Sequence, residues 1–160
     1  LLINQKQQAR DIAAIQENLK GINSSMVHFL ENHDEQRIAS PFFATDPWRA
    51  VPAMVVSATI DQSPIMIYFG QEVGETGVGT EGFSGDDGRT TIFDYWGVPA
   101  HQKWMNSGKF DGGALSDEQK QLRQFYSDIL RFASSNPAIV SGEYFDLTKL
   151  NAEKGNFPED

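Results

Sequence analysis

An amide, an imidazole and a carboxylate stand side by side at Asn32–His33–Asp34, directly behind the apolar run Met26–Val27–His28–Phe29–Leu30. Such a trio offers donors and acceptors suited to neighbouring hydroxyls on a ring, and its carboxylate can also stabilise developing positive charge. In α/β proteins the loops at the carboxyl ends of parallel strands converge on one mouth, where ligands sit. The same three residues also read as a polar turn whose Asn and Asp cap the next element. Spacing alone leaves both readings open. Arg37 can pair with a nearby carboxylate, orient Asp34 or lie at the surface, while Glu31 and Glu35 read as loop groups.

Other constellations are weaker. Gly77–Val78–Gly79–Thr80–Glu81–Gly82 is a literal G-x-G-x-x-G, yet a dinucleotide fingerprint needs a strand directly before it and a helix directly after. Gly77 lies eight positions beyond Phe69, and Phe83–Ser84–Gly85–Asp86–Asp87–Gly88 cannot open a helix. Glu81, Asp86 and Asp87 would repel a pyrophosphate and suit a hard cation such as calcium better; a solvated loop is the default. His33, Asp34, Glu35 and His101 show no i, i+4 histidine pair, so no transition metal is assigned. His28 reads as a satisfied core histidine, with one register that would aim it into a barrel interior. Asn23–Ser24–Ser25 is a glycosylation triplet.

The elements that must position these residues follow from periodicity. Ile12, Ile15, Leu19 and Ile22 recur at helical spacing, predicting an amphipathic helix over residues 4–20 that stops at Gly21. The run 26–30 predicts a buried strand. Asp46–Pro47 is a helix cap followed by proline, and Trp48, Val51, Met54, Val55 and Ala58 continue on one side. Pro52 requires either a later start or a kink. Ile65–Met66–Ile67–Tyr68–Phe69 lacks alternation and predicts a strand covered on both faces, as in parallel sheets. Strand, helix, strand is a βαβ unit. A glycine-rich acidic loop runs from Gly74 to Gly88, Ser116 with Gln119 forms a capping box, and Leu122, Phe125, Tyr126, Ile129, Leu130 and Ala133 make that helix's apolar face. Asn136–Pro137 ends it, and residues 151–160 read as a frayed polar tail. Two strands and three helices make a poor complete fold, since both sheet edges stay open.

Composition narrows the class. The chain has 160 residues, no cysteine, and 13 Lys+Arg against 22 Asp+Glu, a formal net charge of −9. That balance argues against nucleic-acid binding, and no apolar run approaches the roughly 18 residues of a membrane span. Zero cysteines exclude disulfides, thiolate metal sites and a cysteine nucleophile, while leaving the compartment open. A beginning at Leu1–Leu2–Ile3–Asn4–Gln5 has neither an initiator Met nor a signal pattern, and reads as a cut end.

Two motifs make the chain recognisable. Phe29–Leu30–Glu31–Asn32–His33–Asp34 closely resembles the Asn-His-Asp motif at the end of the seventh barrel strand in the α-amylase family of glycoside hydrolases (family 13). Pro64–Ile65–Met66–Ile67–Tyr68–Phe69–Gly70–Gln71–Glu72–Val73–Gly74 resembles that family's eighth strand and the Gly-x-Glu-x-Gly turn after it, with one predicted helix between the motifs. The resemblance covers roughly residues 4–140. It implies an α/β chain that is part of a (β/α)8 TIM barrel, containing strands seven and eight with flanking helices. Residues 1–137 would be the carboxyl-terminal portion of that barrel, and residues 138–160 a partly disordered connection toward a following β domain.

By the same resemblance Asp34 is the carboxylate that stabilises an oxocarbenium-like transition state. His33 and Asn32 belong to the same sugar site, Asn32 chiefly by positioning the loop, and Glu72 braces the barrel mouth. Tyr95 and Trp96 are candidates for an aromatic platform against a glucose ring, with packing of the long loop as the alternative; Phe83 and Trp104 are weaker candidates. Retaining cleavage of α-1,4-glucosidic bonds needs two further carboxylates, about 5–5.5 Å apart. Their motifs, and the Asp-x-x-x-Asn-His of the third strand, do not occur here, so the chain alone is expected to be inactive. The implied partners are an α-glucan or maltooligosaccharide and the upstream barrel strands, with self-association through open sheet edges. No cofactor is expected in this segment, and calcium only in the longer parent, for which a secreted or periplasmic location fits. Transglycosylases, maltosyl transferases and non-catalytic sugar-binding relatives remain alternatives.

Overall fold

The computed structural model describes residues 11–79, 85–93 and 97–154. Its centre is a right-sized βαβ unit: β1 (His28–Phe29), α2 (Val51–Thr59) and β2 (Ile65–Met66), preceded by α1 (Asp11–Asn18). The strands pair in parallel, His28 opposite Ile65 and Phe29 opposite Met66. Each is shorter than the apolar run that contains it. After Phe29 the chain turns so that Glu31 is buried in a polar lattice, and after Met66 it curls toward a left-handed Gly70 (φ 85°).

Side chains on one side of the pair pack under the helices. Leu30, Ile65 and Ile67 meet Met54 and Ala58 of α2 and Leu122, Tyr126 and Ala133 of α4 (Asp117–Ser135). The opposite side is open along the paired residues, where Phe29 is 45% and Met66 37% exposed, and closes at Tyr68, so the run 65–69 is covered on both faces only at its end. His28 lies on the helix side, where its Nδ1 is 2.9 Å from the Ser57 carbonyl oxygen, and not in the register that would face a barrel interior.

Local chemistry explains the helix boundaries. Asp46 Oδ1 accepts from the Trp48 N–H at 2.9 Å and opens a single 3-10 turn, Pro47–Ala50. Regular helix begins at Val51, which puts Pro52 in the first turn, where its missing N–H has no partner to lose. Ser116 and Gln119 cap α4 reciprocally, and Asn136 ends it. A helix that periodicity did not reveal, α3 (Pro99–Met105), packs Ala100 and Trp104 against Val73 and Leu115.

Of the expected helix over 4–20, residues 4–10 lie outside the described residues. In α1 and just beyond it, Ile15 and Ile22 are half exposed, while Gln16 is the buried residue and donates from Nε2 to Asp61 at 3.2 Å. Ile12 and Leu19 are partly buried, so the apolar stripe is half covered while the buried contact of the helix is polar. Beyond α4 lie α5 (Pro137–Val140) and α6 (Thr148–Glu153); the latter occupies part of the stretch read as a frayed tail.

Candidate active site

Asn32, His33 and Asp34 follow the carboxyl end of β1, as the βαβ topology requires of a ligand mouth. Asn32 Oδ1 accepts from the backbone N–H of Asp34 at 2.9 Å and of Glu35 at 2.8 Å, which folds the loop tip back on itself. The Asp34 carboxylate is 72% exposed, and its Oδ1 lies 3.5 Å from His33 Nε2. An exposed carboxylate beside an imidazole, on a loop stiffened by its own asparagine, is a group presented outward for hydrogen bonding.

Beneath the tip the chemistry changes from exposed to buried. Arg37 is fully buried, which removes the surface reading. Its Nη1 donates to Glu31 Oε2 at 2.8 Å, and Glu31 Oε1 accepts from the Ile38 N–H at 2.7 Å. The remaining donors go to Thr90 Oγ1 and to the Phe69 carbonyl, with the guanidinium carbon 4.2 Å from the Tyr68 ring centroid. Arg37 thus contacts Glu31 and the end of β2, not Asp34. Burial raises the Glu31 pKa; Arg37 and the Ile38 N–H pull the other way, and the Glu75 carboxylate adds to the rise.

Glu75, three residues beyond Glu72, is the fully buried carboxylate of this turn. It accepts from the N–H groups of Thr76 (2.8 Å) and Gly77 (3.0 Å) through Oε1, and from the Ala100 N–H at 2.9 Å through Oε2. Glu72 is half buried and lines a cleft of about 370 Å³ with Ile67, Phe69, Arg123 and Tyr126. A retrospective signal for the lattice is the symmetry of Glu31 and Arg37, three residues either side of Asp34. Nothing local marked Thr90 or Glu75.

Tyr95, Trp96 and Phe83 lie outside the described residues. Trp104 is packed, its ring 6.0 Å from His101 and 5.9 Å from Phe110, with the Arg123 guanidinium over it at 5.4 Å. In the glycine-rich loop Asp86 Oδ1 accepts from the Gly79 N–H at 2.8 Å, and Asp87 Oδ1 from the Arg89 N–H at 3.1 Å. Among the described residues no group of three or more His, Asp or Glu is placed to hold a metal ion. No described helix is long and apolar enough to cross a membrane. An open groove of about 760 Å³ lies at the other end of the strands, lined by α1, Asn23, Asp61 and residues 142–146.

The chain belongs to the α-amylase catalytic-domain family: the family model described as "Alpha amylase, catalytic domain" matches residues 3–140. That family comprises glycoside hydrolases and related transferases, and its catalytic domain is a TIM barrel. No curated protein and no solved structure matches the chain.

Proposed function

We propose that this chain is the carboxyl-terminal part of a (β/α)8 barrel, strands seven and eight, from a retaining α-glucan-active enzyme of the α-amylase type. Residues 1–137 complete the barrel and residues 138–160 lead toward a following domain. Asp34 stabilises the oxocarbenium-like transition state, and His33 hydrogen-bonds the same sugar ring. One observation carries the reading: in a chain of this family, an exposed Asp34 stands on a self-capped loop at the carboxyl end of a parallel strand.

The nucleophile and general acid belong to strands that precede this segment, so it is inactive alone. It needs no cofactor of its own, and its partner is an α-glucan or maltooligosaccharide. The test is release of reducing ends from soluble starch and from maltooligosaccharides, by this chain and by a chain carrying the preceding strands. Activity only in the longer chain, abolished by Asp34→Asn without loss of fold, supports the proposal. Activity in the 160-residue chain, or an active Asp34→Asn variant, refutes it. Disproportionation of maltooligosaccharides without net hydrolysis would select the transferase alternative.

A further inference from the structure

The loop bearing His33 and Asp34 is open at its tip and closed at its base. Glu31 and Arg37 form that base as a buried ion pair at 2.8 Å, closed again by the Ile38 N–H on the second Glu31 oxygen. From the same guanidinium, Nε and Nη2 donate to Thr90 Oγ1 at 2.9 and 2.6 Å, and Nη2 also donates to the Phe69 carbonyl at 2.8 Å. The returning limb of the long loop is tied on three more times. Arg37 N–H donates to the Gly88 carbonyl at 2.7 Å, Gln36 Nε2 to the Asp87 carbonyl at 3.1 Å, and Tyr68 Oη to the Thr90 carbonyl at 2.8 Å. One cation therefore joins the loop after β1, the turn beyond β2 and the returning bend at Gly88–Thr90.

A buried ion pair is a poor device for stability alone, because desolvation offsets most of its attraction. What it supplies and an apolar pair does not is direction, since a guanidinium fixes its acceptors in a plane. Here the plane contains acceptors from three separate segments. We infer that Arg37, held by Glu31 and Thr90, is a positioning residue that fixes Asp34 relative to the loop returning from β2. This rests on the reading of Asp34 given above.

The test uses the glucan-active enzyme that contains this segment. Thr90→Val keeps the side-chain shape and removes the oxygen that two guanidinium donors share; Thr90→Ser keeps that oxygen. A misplacement of about 1 Å at a reacting centre costs on the order of a hundredfold in rate. We expect Thr90→Val to lower kcat by roughly ten- to a hundredfold with KM within about threefold, and Thr90→Ser to recover most of the loss. If Thr90→Val does not fold, Glu31→Gln, which keeps the shape and discards the charge, must show the same split. Unchanged kcat in the folded variant, beside an Asp34→Asn variant that has lost turnover, overturns the positioning role. An Asp34→Asn variant with full turnover overturns the reading of Asp34 instead.

Discussion

Glu31 and Arg37 show how unequal the two ways of disturbing a buried pair are. Arg37→Met leaves Glu31 as a buried, uncompensated carboxylate, and should cost about 3–5 kcal/mol in urea unfolding. Glu31→Leu with Arg37→Met should cost clearly less, because no orphaned charge remains. A carboxyl whose pKa is raised in the fold favours the native state below its unfolded pKa, and loses that contribution as pH rises through the folded value. Burial already raises Glu31, and removing Arg37 removes the main opposing pull. The deficit of Arg37→Met against wild type should therefore shrink as pH falls from 8 to 5; an equal deficit at both values would contradict this account. Tyr126 makes the alkaline counterpart. Burial pushes its phenol up to about 12, against the hydrogen bond from Gln71 Nε2 at 3.1 Å. Its contribution is present below the unfolded pKa of about 10 and lost as pH rises toward 12. Absorbance of tyrosinate, followed in native buffer and in denaturant, should show a late-ionising phenol in the native chain that Tyr126→Phe removes.

At the scale of elements, the glycines of the long loop are held by neighbours as much as by dihedral angles. A Cβ on Gly88 (φ 79°) would overlap Ser40 Oγ and sit 3.0 Å from Ser40 Cβ, whereas one on Gly21 (φ 87°) would meet open space. Gly21→Ala should cost about 1 kcal/mol, the penalty of the left-handed region alone. Gly88→Ala should cost clearly more and loosen the Arg37 lattice, as thermal unfolding and amide exchange at Arg37 will show. What periodicity and capping encode locally was legible: α4 opens at Ser116 with Gln119 and ends at Asn136. Elements whose limits depend on distant partners were not. Strand pairing covers two residues of each apolar run, and just beyond it Glu31 and the Phe69 carbonyl are drawn into the Arg37 lattice, contacts that no local pattern announces. The helix α3 escaped because seven residues with two inward side chains carry too little repeat to register. At the site, adjacency of Asn32, His33 and Asp34 was visible in the chain, while Thr90 and Glu75 reach their partners across 53 and 25 residues.

The whole molecule has a finished side and an unfinished one. Helices α2 and α4 bury one face of the strand pair, while Val27, Phe29 and Met66 leave apolar surface exposed on and beside it. Open parallel edges with apolar side chains favour pairing with further strands. We expect the 160-residue chain to sediment as concentration-dependent oligomers, and Phe29→Lys to shift it toward monomer; a monomer at all concentrations would show that the open side is tolerated in water. The floor of the strand pair carries a consequence for how the protein is made. Asn23 heads a glycosylation triplet, but its amide nitrogen donates to the carbonyl and side-chain oxygens of Gln16. A glycan attached to that nitrogen during synthesis would replace one of its two hydrogens, so a eukaryotic secretory host would turn out a chain with a single N–H left for the two Gln16 oxygens. A bacterial host, which leaves that asparagine bare, is the better place to produce it.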